Sequence, residues 1–351
     1  LLGFLAIGVV FACNRTDPFF ALYKIFAGSF GSLYGLSETL TKAIPLLIIG
    51  AGLCLPYQGR FWNIGAESQL LIGALIGTWA GISFLSGLPA YLLIPAMFLI
   101  GFTGGALWGI IHALLKIRMG VNEVISTLML NYVAIEFIQF LIVGPLKGKT
   151  QHGFPYSDDL PAQAWLPMIP GTRIHWITLL IGVLACVVLF LVLRSSKLGY
   201  EIRVIGENQE AARYAGIGFL KTSVIMMAIS GGLAGLAGVG EVAGLHHHLS
   251  YPQNISAGYG FTAIIVAWLA RLNPLGVMVS SFFFAGILVG GDAIQISLKL
   301  PAATVNVFNG VLLVFLIGGD YFLNHRLVRN HPQKAATRPT TAAAPDTALE
   351  D

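Results

Sequence analysis

Polar and ionisable side chains are rare within the apolar parts of this sequence, and they are the groups there that could contact a solute or carry out chemistry. The residues of this kind that we select are Asn63, Glu67, Gln69, Asn131, Glu241 and Asn254. Amides and carboxylates are costly to place in hydrocarbon, so they usually face a cavity or another helix. We predict that these residues line a pathway for a polar solute. Hydrogen bonding between helices is the alternative.

Patterns typical of catalysis or metal binding do not explain the sequence. The run from Gly144 to Thr150 resembles a phosphate-binding loop, but it is one residue shorter than G-x-x-x-x-G-K-[ST]. The consecutive residues His246, His247 and His248 would point in different directions on a helix, and no Cys or Asp cluster accompanies them. The apolar runs contain no Ser/His, paired-Asp or HExxH constellation. We therefore expect a non-catalytic chain that binds no metal and no cofactor.

The composition indicates a protein surrounded by lipid. Of the 351 residues, 56% are hydrophobic and only 10% are charged, and the mean hydropathy is +0.78, whereas soluble domains carry about 25% charged residues. Apolar runs recur at the length of about 17–25 residues that crosses a bilayer as a helix. The net charge of +4 comes from Lys and Arg scattered over short loops, which does not indicate nucleic-acid binding. The predicted fold class is an all-α polytopic membrane protein.

Hydropathy predicts about ten transmembrane helices. They lie near residues 1–13, 43–58, 68–86, 89–115, 123–144, 174–194, 222–245, 257–270, 276–294 and 303–320. The spans near 43–58 and 257–270 are short, so either can be a broken or re-entrant span. The distribution of Lys and Arg between the loops favours a cytoplasmic location for both termini.

This orientation divides the remaining chain between the two sides of the membrane. Residues 145–173 form an outside loop, and residues 195–221 form the largest inside loop. Residues 1–325 make up a single transmembrane domain, and the Ala/Thr/Pro-rich residues 326–351 form a disordered cytoplasmic tail.

Two short motifs echo each other along the chain. Asn63-Ile-Gly-Ala opens one predicted span, and Asn254-Ile-Ser-Ala opens another about five spans later. An odd offset places the two motifs on opposite sides of the membrane, as a five-plus-five inverted repeat would, with a site near the pseudo-two-fold axis. A chance match of four residues is the alternative.

The inside loop contains a segment that is typical of a docking element. Residues 209–214 predict a short helix with Asn208 as its N-cap. Gly206 and Gly216 allow sharp turns on either side of it. A short helix with small side chains on the cytoplasmic face suits a groove on a partner protein, and a solvated connecting loop is the alternative.

Three motifs resemble those of ABC importer permeases in the branched-chain amino acid, ribose and nucleoside superfamily. Gly206-Glu-Asn-Gln-Glu-Ala-Ala-Arg-Tyr-Ala-Gly-Ile217 resembles the ATPase-contacting loop of these permeases. Phe61-Trp-Asn-Ile-Gly-Ala-Glu-Ser-Gln-Leu70 resembles F-N-I-G-A-E-G-Q-L, with Trp62 inserted and Ser68 in place of Gly. Gly120-Val-Asn-Glu-Val-Ile-Ser-Thr-Leu-Met-Leu-Asn-Tyr132 resembles G-V-N-E-V-I-x-T-I-M-L-N-Y. The likeness spans roughly residues 17–320 and indicates the simple-sugar and nucleoside subgroup.

The resemblance implies a division of labour in a bacterial inner membrane. This chain would form half of a translocation path, and a second permease, which we expect to be a different chain, would form the other half. An external binding lipoprotein of the basic-membrane-protein type would deliver a nucleoside or related simple sugar, and a cytoplasmic ABC ATPase would use the ATP. The residues that the resemblance assigns to ATPase coupling are Gly206, Glu207, Asn208, Glu210, Ala211, Ala212, Arg213 and Gly216. The alternatives are an ABC permease for branched-chain amino acids or another solute, and an ion-coupled secondary transporter.

Overall fold

The structure is a computed structural model that describes residues 17–149 and 153–299, together with the isolated positions 8, 301, 307, 310, 311 and 314. Its described part is helical, with an isolated β-bridge between Met168 and His175. The helices are α1 Pro18–Phe30, α2 Leu33–Gln58, α3 Ala66–Ile82, α4 Ala90–Met119, α5 Glu123–Val143, α6 Trp176–Ser195, α7 Lys197–Glu207, α8 Gln209–Tyr214, α9 Phe219–Glu241, α10 Pro252–Ile255, α11 Tyr259–Leu269 and α12 Pro274–Ser297.

Six of the described helices are long and apolar enough to cross a membrane: α2, α4, α5, α6, α12, and α9 with its extension to His246. Helix α3 has 17 residues and α11 has 11. At about 1.5 Å per residue, α11 covers roughly half of a 30 Å hydrocarbon layer. Each predicted span from 43 to 294 coincides with one of these helices. The predicted spans 1–13 and 303–320, both termini and the tail 326–351 lie outside the described residues, apart from isolated positions.

The prediction of a short span near 43–58 was wrong, because α2 already begins at Leu33. The first turns of α2 carry polar side chains, and these lower the hydropathy of that stretch. They have partners inside the protein, however. Thr39 donates to the Ser29 carbonyl at 3.2 Å, and Lys42 forms an ion pair with Asp292 of α12. These contacts allow a polar stretch to continue an apolar helix.

Helix α1 lies against α12, although the sequence analysis left this stretch between two spans. Its Ser29 hydroxyl donates to the Gly286 carbonyl of α12. A Cβ atom on Gly290 would overlap Ile25, and one on Gly286 would overlap the ring of Phe30. The glycines of α12 therefore form the surface on which α1 packs.

Helices α3, α4 and α9 cross at close range through glycines. A Cβ atom on Gly73 would overlap Gly235, one on Gly105 would overlap the Gly231 carbonyl, and one on Gly235 would overlap the Gly101 carbonyl. Helices in lipid associate through close van der Waals packing, which small residues permit. Helices α3 and α9, together with the largely buried α2, form the centre of the bundle, and α4 packs on α3 and α9 from one side.

The ends of the described helices form two groups, and we call the group that carries α7 and α8 the basic end. There Gln58 Nε2 donates to the Leu272 carbonyl at 2.8 Å, and a Cβ atom on Gly206 would overlap the Gln58 carbonyl. Lys116 Nζ lies 4.3 Å from the centroid of the Phe61 ring. The basic residues of this end are Arg60, Lys116, Arg118, Arg194, Lys197, Arg203, Arg213, Lys221 and Arg271. The positive-inside rule favours the cytoplasm for such an end. We call the opposite group the loop end.

Candidate functional site

The non-helical segment 59–65 between α2 and α3 is held by a buried network of amide and hydroxyl groups. Asn63 Nδ2 donates to Gln69 Oε1 at 3.1 Å and to Ser230 Oγ at 3.2 Å, and Gln69 Nε2 donates back to Asn63 Oδ1 at 3.1 Å. The Tyr57 hydroxyl donates to the Asn63 carbonyl at 2.9 Å. Asn63 and Gln69 are completely buried. Together they tie the segment to α2, α3 and α9.

Asn131 of α5 holds the other side of the same segment. Its Oδ1 accepts from the Ser68 amide at 3.1 Å, and its Nδ2 donates to the Ile64 carbonyl at 2.9 Å. The Ile64 amide donates to Thr127 Oγ1 at 3.3 Å. Ser68, which departs from the family motif, is buried and donates its hydroxyl to the Gly65 carbonyl at 2.8 Å. The departure therefore leaves no hydroxyl without a partner.

Glu67 connects the starts of two helices that enter from opposite ends of the bundle. Its Oε2 accepts a hydrogen bond of 2.8 Å from the Gly260 amide in the first turn of α11. Amides in the first turn of a helix lack intrahelical partners, and a carboxylate there also interacts favourably with the helix dipole. The two motifs that echo each other, at 63–66 and 254–257, directly precede or open these two helices. An inverted repeat would produce this arrangement.

The structure brings Asn63, Glu67, Gln69 and Asn131 together, whereas the other two pathway candidates lie apart from their hydrogen-bond network. Glu241 ends α9 and is buried. Asn254 lies on the short α10 and is exposed. The hydrogen bonds of the first four residues account for the local fold. Their role in a solute pathway therefore stays a prediction.

Helix α8 has the bounds that the sequence predicts, with Asn208 as its N-cap. Asn208 Oδ1 accepts from the Glu210 amide at 2.9 Å and from the Ala211 amide at 3.1 Å. Of the residues of α8, Ala212 is the buried one, at 1% exposure, whereas Tyr214 is 93% exposed. Ala212 therefore seats α8 on its own chain, and only Ala211 of the two alanines lies on the exposed surface.

The residues before α8 form a second helix, α7, which the sequence analysis described only as a loop. The Ser196 hydroxyl caps it by accepting from the Gly199 amide at 3.1 Å. The prediction of a sharp turn at Gly206 was wrong, because Gly206 lies in the last turn of α7 against the Gln58 carbonyl, where no Cβ atom fits. Gly216 has a φ of +73°, so the turn predicted there is confirmed.

The loop end carries aromatic rings and histidines that pack between segments 145–175 and 247–258. The Trp165 ring stacks on His247, with centroids 4.2 Å apart, and the Tyr156 ring lies 4.8 Å from that of His248. His248 Nδ1 lies 3.4 Å from Asp159 Oδ1. Among the described residues, no three His, Cys, Asp or Glu side chains form a group that could hold a metal ion. The histidines thus contribute to the packing of two loops.

His175, directly before α6, is completely buried at this end. A Cβ atom on Gly244 would come within 2.8 Å of its ring. Neither of its ring nitrogens has a hydrogen-bond partner in the described part of the chain. Burial lowers the pKa of His175 to about 4, and burial also lowers the pKa of His247. Both groups therefore resist protonation in the folded protein.

Glu136 of α5 is a polar residue outside the six pathway candidates predicted from the sequence. It lies on the exposed side of α5, with Tyr132 one turn before it and Gln139 one turn after it. An open groove of about 400 Å³ is lined by Glu136, Gln139, Phe140, Val143 and Gly144. The signal in the sequence was the helical spacing of 132, 136 and 139, which differs in phase from the apolar positions 134, 138 and 142.

A bundle of long apolar helices, with the half-length helix α11 meeting the start of α3 inside it, defines a multi-pass membrane protein of the transporter class. The chain belongs to the family described as branched-chain amino acid transport system / permease component, whose model matches residues 35–317. The resemblance drawn from the three sequence motifs is thereby confirmed. The chain is a permease component, the membrane-spanning part of a transport system.

Several curated relatives match over most of their length. The glucose ABC transporter permease protein TsgB13 of Haloferax volcanii is 35% identical over 350 residues, which cover 97% of this chain and 90% of the relative. The guanosine ABC transporter permease protein NupP of Bacillus subtilis is 30% identical and covers 82% of each chain. The nucleoside ABC transporter permease protein NupB of Lactococcus lactis is 28% identical, covering 90% of this chain and 87% of the relative.

A solved structure shares the fold. A chain of PsaBC from Streptococcus pneumoniae in complex with Fab matches with a TM-score of 0.50 at 13% identity, over 86% of this chain and 99% of that chain. At this identity the likeness concerns the arrangement of the helices alone.

Proposed function

We propose that this chain is one of two membrane-spanning subunits of an ATP-driven importer that carries a nucleoside or a related simple sugar into a bacterial cell. The relatives named above are permeases for glucose, guanosine or nucleosides. A ribosyl nucleoside and a simple sugar share a ring with vicinal hydroxyl groups, which the amide and carboxylate side chains of this chain can recognise by hydrogen bonding.

The observation that carries the proposal is the exposed, capped helix α8 at the basic end of the bundle. A helix of 6 residues is unstable in isolation. The cap and the buried Ala212 stabilise this helix on the surface of the bundle. A cytoplasmic ABC ATPase docks onto its exposed surface. The residues of that surface are Glu207, Asn208, Glu210, Ala211, Arg213 and Gly216.

Movement of the ATPase reaches the membrane through α7. Gly206 at the end of α7 touches the Gln58 carbonyl at the end of α2, and Glu201 Oε2 of α7 accepts from the Thr222 hydroxyl of α9 at 3.0 Å. The next residues after α2 are the segment 59–65, which Asn63 anchors to α3 and α9. A shift of α8 therefore acts on the helices that the buried network joins.

The remaining parts of the proposed machine follow from the resemblance. A second permease, a different chain, forms the other half of the path, and an external binding lipoprotein delivers the solute at the loop end. The chain spans the inner membrane about ten times with both termini in the cytoplasm. It binds no cofactor itself, because the partner ATPase hydrolyses the ATP.

The test is uptake of radiolabelled guanosine into proteoliposomes that hold this chain with its partner permease, ATPase and binding protein. We expect uptake that requires ATP and is reduced by unlabelled adenosine. Competition by glucose, ribose or leucine instead of nucleosides would assign a different solute to the same machine. Uptake that needs no ATPase and follows an ion gradient would refute the proposal in favour of a secondary transporter.

A further inference from the structure

Helices α5 and α6 are the two least buried spans among the described residues, with 33% and 28% of their central windows buried. Their exposed faces nevertheless differ in chemistry. Between its first and last turns, α6 exposes aliphatic side chains, namely Leu180, Val183, Leu184, Val187, Val188 and Leu191. A face of this composition suits direct contact with lipid. The exposed side of α5 carries the carboxylate of Glu136 and the ring of Tyr132 among apolar side chains, and the half-buried amide of Gln139 borders it.

Glu136 points directly away from the rest of the protein. The buried face of α5 runs through Asn131, Ala134 and Ile138, and at about 100° per residue Glu136 lies on the opposite side of the helix. It is also about 10 Å from the nearer end of α5, since 7 residues separate it from Val143. A carboxylate at this depth is costly in hydrocarbon. The face around Glu136 therefore does not contact lipid in the assembled transporter.

We infer that Glu136 and Gln139 form a solute-contact site on the wall of the translocation path, where they bind vicinal hydroxyl groups of a sugar ring. This inference rests on the proposed function. The two oxygens of a carboxylate can accept from two neighbouring hydroxyls, and the amide can both donate and accept. The Phe140 ring in the same groove offers an apolar surface for the face of the sugar or base.

The groove is open on one side, which suits a site from which a bound solute dissociates quickly. Its volume of about 400 Å³ is within the range of small-molecule sites, but it lies open along the side of α5. A second permease facing α5 would enclose it.

Thiol labelling tests whether this face meets water. In the reconstituted complex, Gln139→Cys should react with a membrane-impermeant maleimide at least about tenfold faster than Phe137→Cys and Leu184→Cys. These controls lie on α5 beside the polar face and on the aliphatic face of α6. Wild-type labelling is subtracted. Excess guanosine should slow the reaction of Gln139→Cys. Equal rates at the three positions, or labelling only when the partner permease is omitted, would overturn the inference.

Transport tests the contact itself. Glu136→Gln keeps the shape of the side chain and removes its charge, so we expect about tenfold slower uptake of radiolabelled guanosine with an unchanged gel-filtration profile. Val133→Ala should transport at the wild-type rate. If the wild type transports and Glu136→Gln matches it, the contact site is refuted while the proposed function stands. If the wild type shows no ATP-dependent uptake, the proposed function itself fails.

Discussion

The carboxylate of Glu67 accepts a hydrogen bond of 2.8 Å from the backbone amide of Gly260, which joins the first turn of α3 to the first turn of α11. Both helices follow non-helical segments, and they approach each other from opposite ends of the bundle. The Glu67 carboxylate belongs to the first turn of α3, and it also interacts favourably with the positive, N-terminal end of the α11 dipole. A Cβ atom on Gly260 would overlap the Glu67 backbone, so the two helix starts are in direct contact.

This contact predicts a graded loss of stability on substitution of Glu67. Glu67→Ala leaves the Gly260 amide buried without a partner, which should cost about 1–3 kcal/mol of the free energy of unfolding. Glu67→Gln retains an oxygen that can accept this bond, so it should cost less. The measurement is the thermal unfolding midpoint of the purified protein in detergent. Equal midpoints for Glu67→Ala and the wild type would show that the bond does not hold the two helices.

The close packing of α3, α4 and α9 predicts that a large side chain at Gly105 disrupts the fold. Gly105→Leu places a side chain where the Gly231 carbonyl already lies, so α4 and α9 must separate and we expect little monodisperse protein. Gly87→Leu, in the turn after α3, is the matched control, because no atom lies within 4 Å of its Cβ position. The measurement is the elution profile of each variant in fluorescence-detected gel filtration. Similar profiles would contradict the packing described.

Local features of the fold could be predicted from the sequence, and features that depend on distant partners could not. Helix α8 and its cap are encoded within a few residues around Asn208. The start of α2 at Leu33 was missed because Lys42 is tolerated through Asp292, 250 positions away in the chain. Gly206 was interpreted as a turn because its neighbour, the Gln58 carbonyl, is distant in sequence.

The candidate site shows the same limit. Hydropathy identifies Asn63, Gln69 and Glu136 alike as polar residues within apolar runs. It cannot distinguish the two amides, which bond to each other in a buried network, from the carboxylate that points outward from α5. The distinction requires knowing which face of each helix is packed, and this depends on the whole bundle.

The lowered pKa of His175 predicts that the stability of the loop end depends on pH. Its pKa is about 4 in the folded protein and about 6.5 in an unfolded chain. Between these values the unfolded state binds more protons, so stability should fall as the pH falls from about 6.5 to 4, by up to about 3 kcal/mol. Unfolding midpoints across this range measure the slope. His175→Phe should reduce the slope, whereas His248→Gln in the surface loop should retain it. An unchanged slope in His175→Phe would assign the effect to other groups.

The exposed surface of α8 predicts variants that separate ATP hydrolysis from transport. Ala211→Trp adds bulk and Glu210→Lys reverses a charge on this surface, while the cap at Asn208 and the buried Ala212 are left intact. Both variants should fold and insert normally but lose most ATP-dependent uptake, because the ATPase no longer seats on α8.

The control for added bulk is Leu184→Trp on the aliphatic face of α6, which should transport normally. Ala212→Trp is a different kind of variant, since it displaces α8 from its own chain and should also lower the unfolding midpoint. Co-purification of the ATPase with each variant, together with uptake, distinguishes these cases. Normal uptake by both Ala211→Trp and Glu210→Lys would show that α8 is not the docking element. Movement of the ATPase could then not reach α2 through the contact between Gly206 and Gln58.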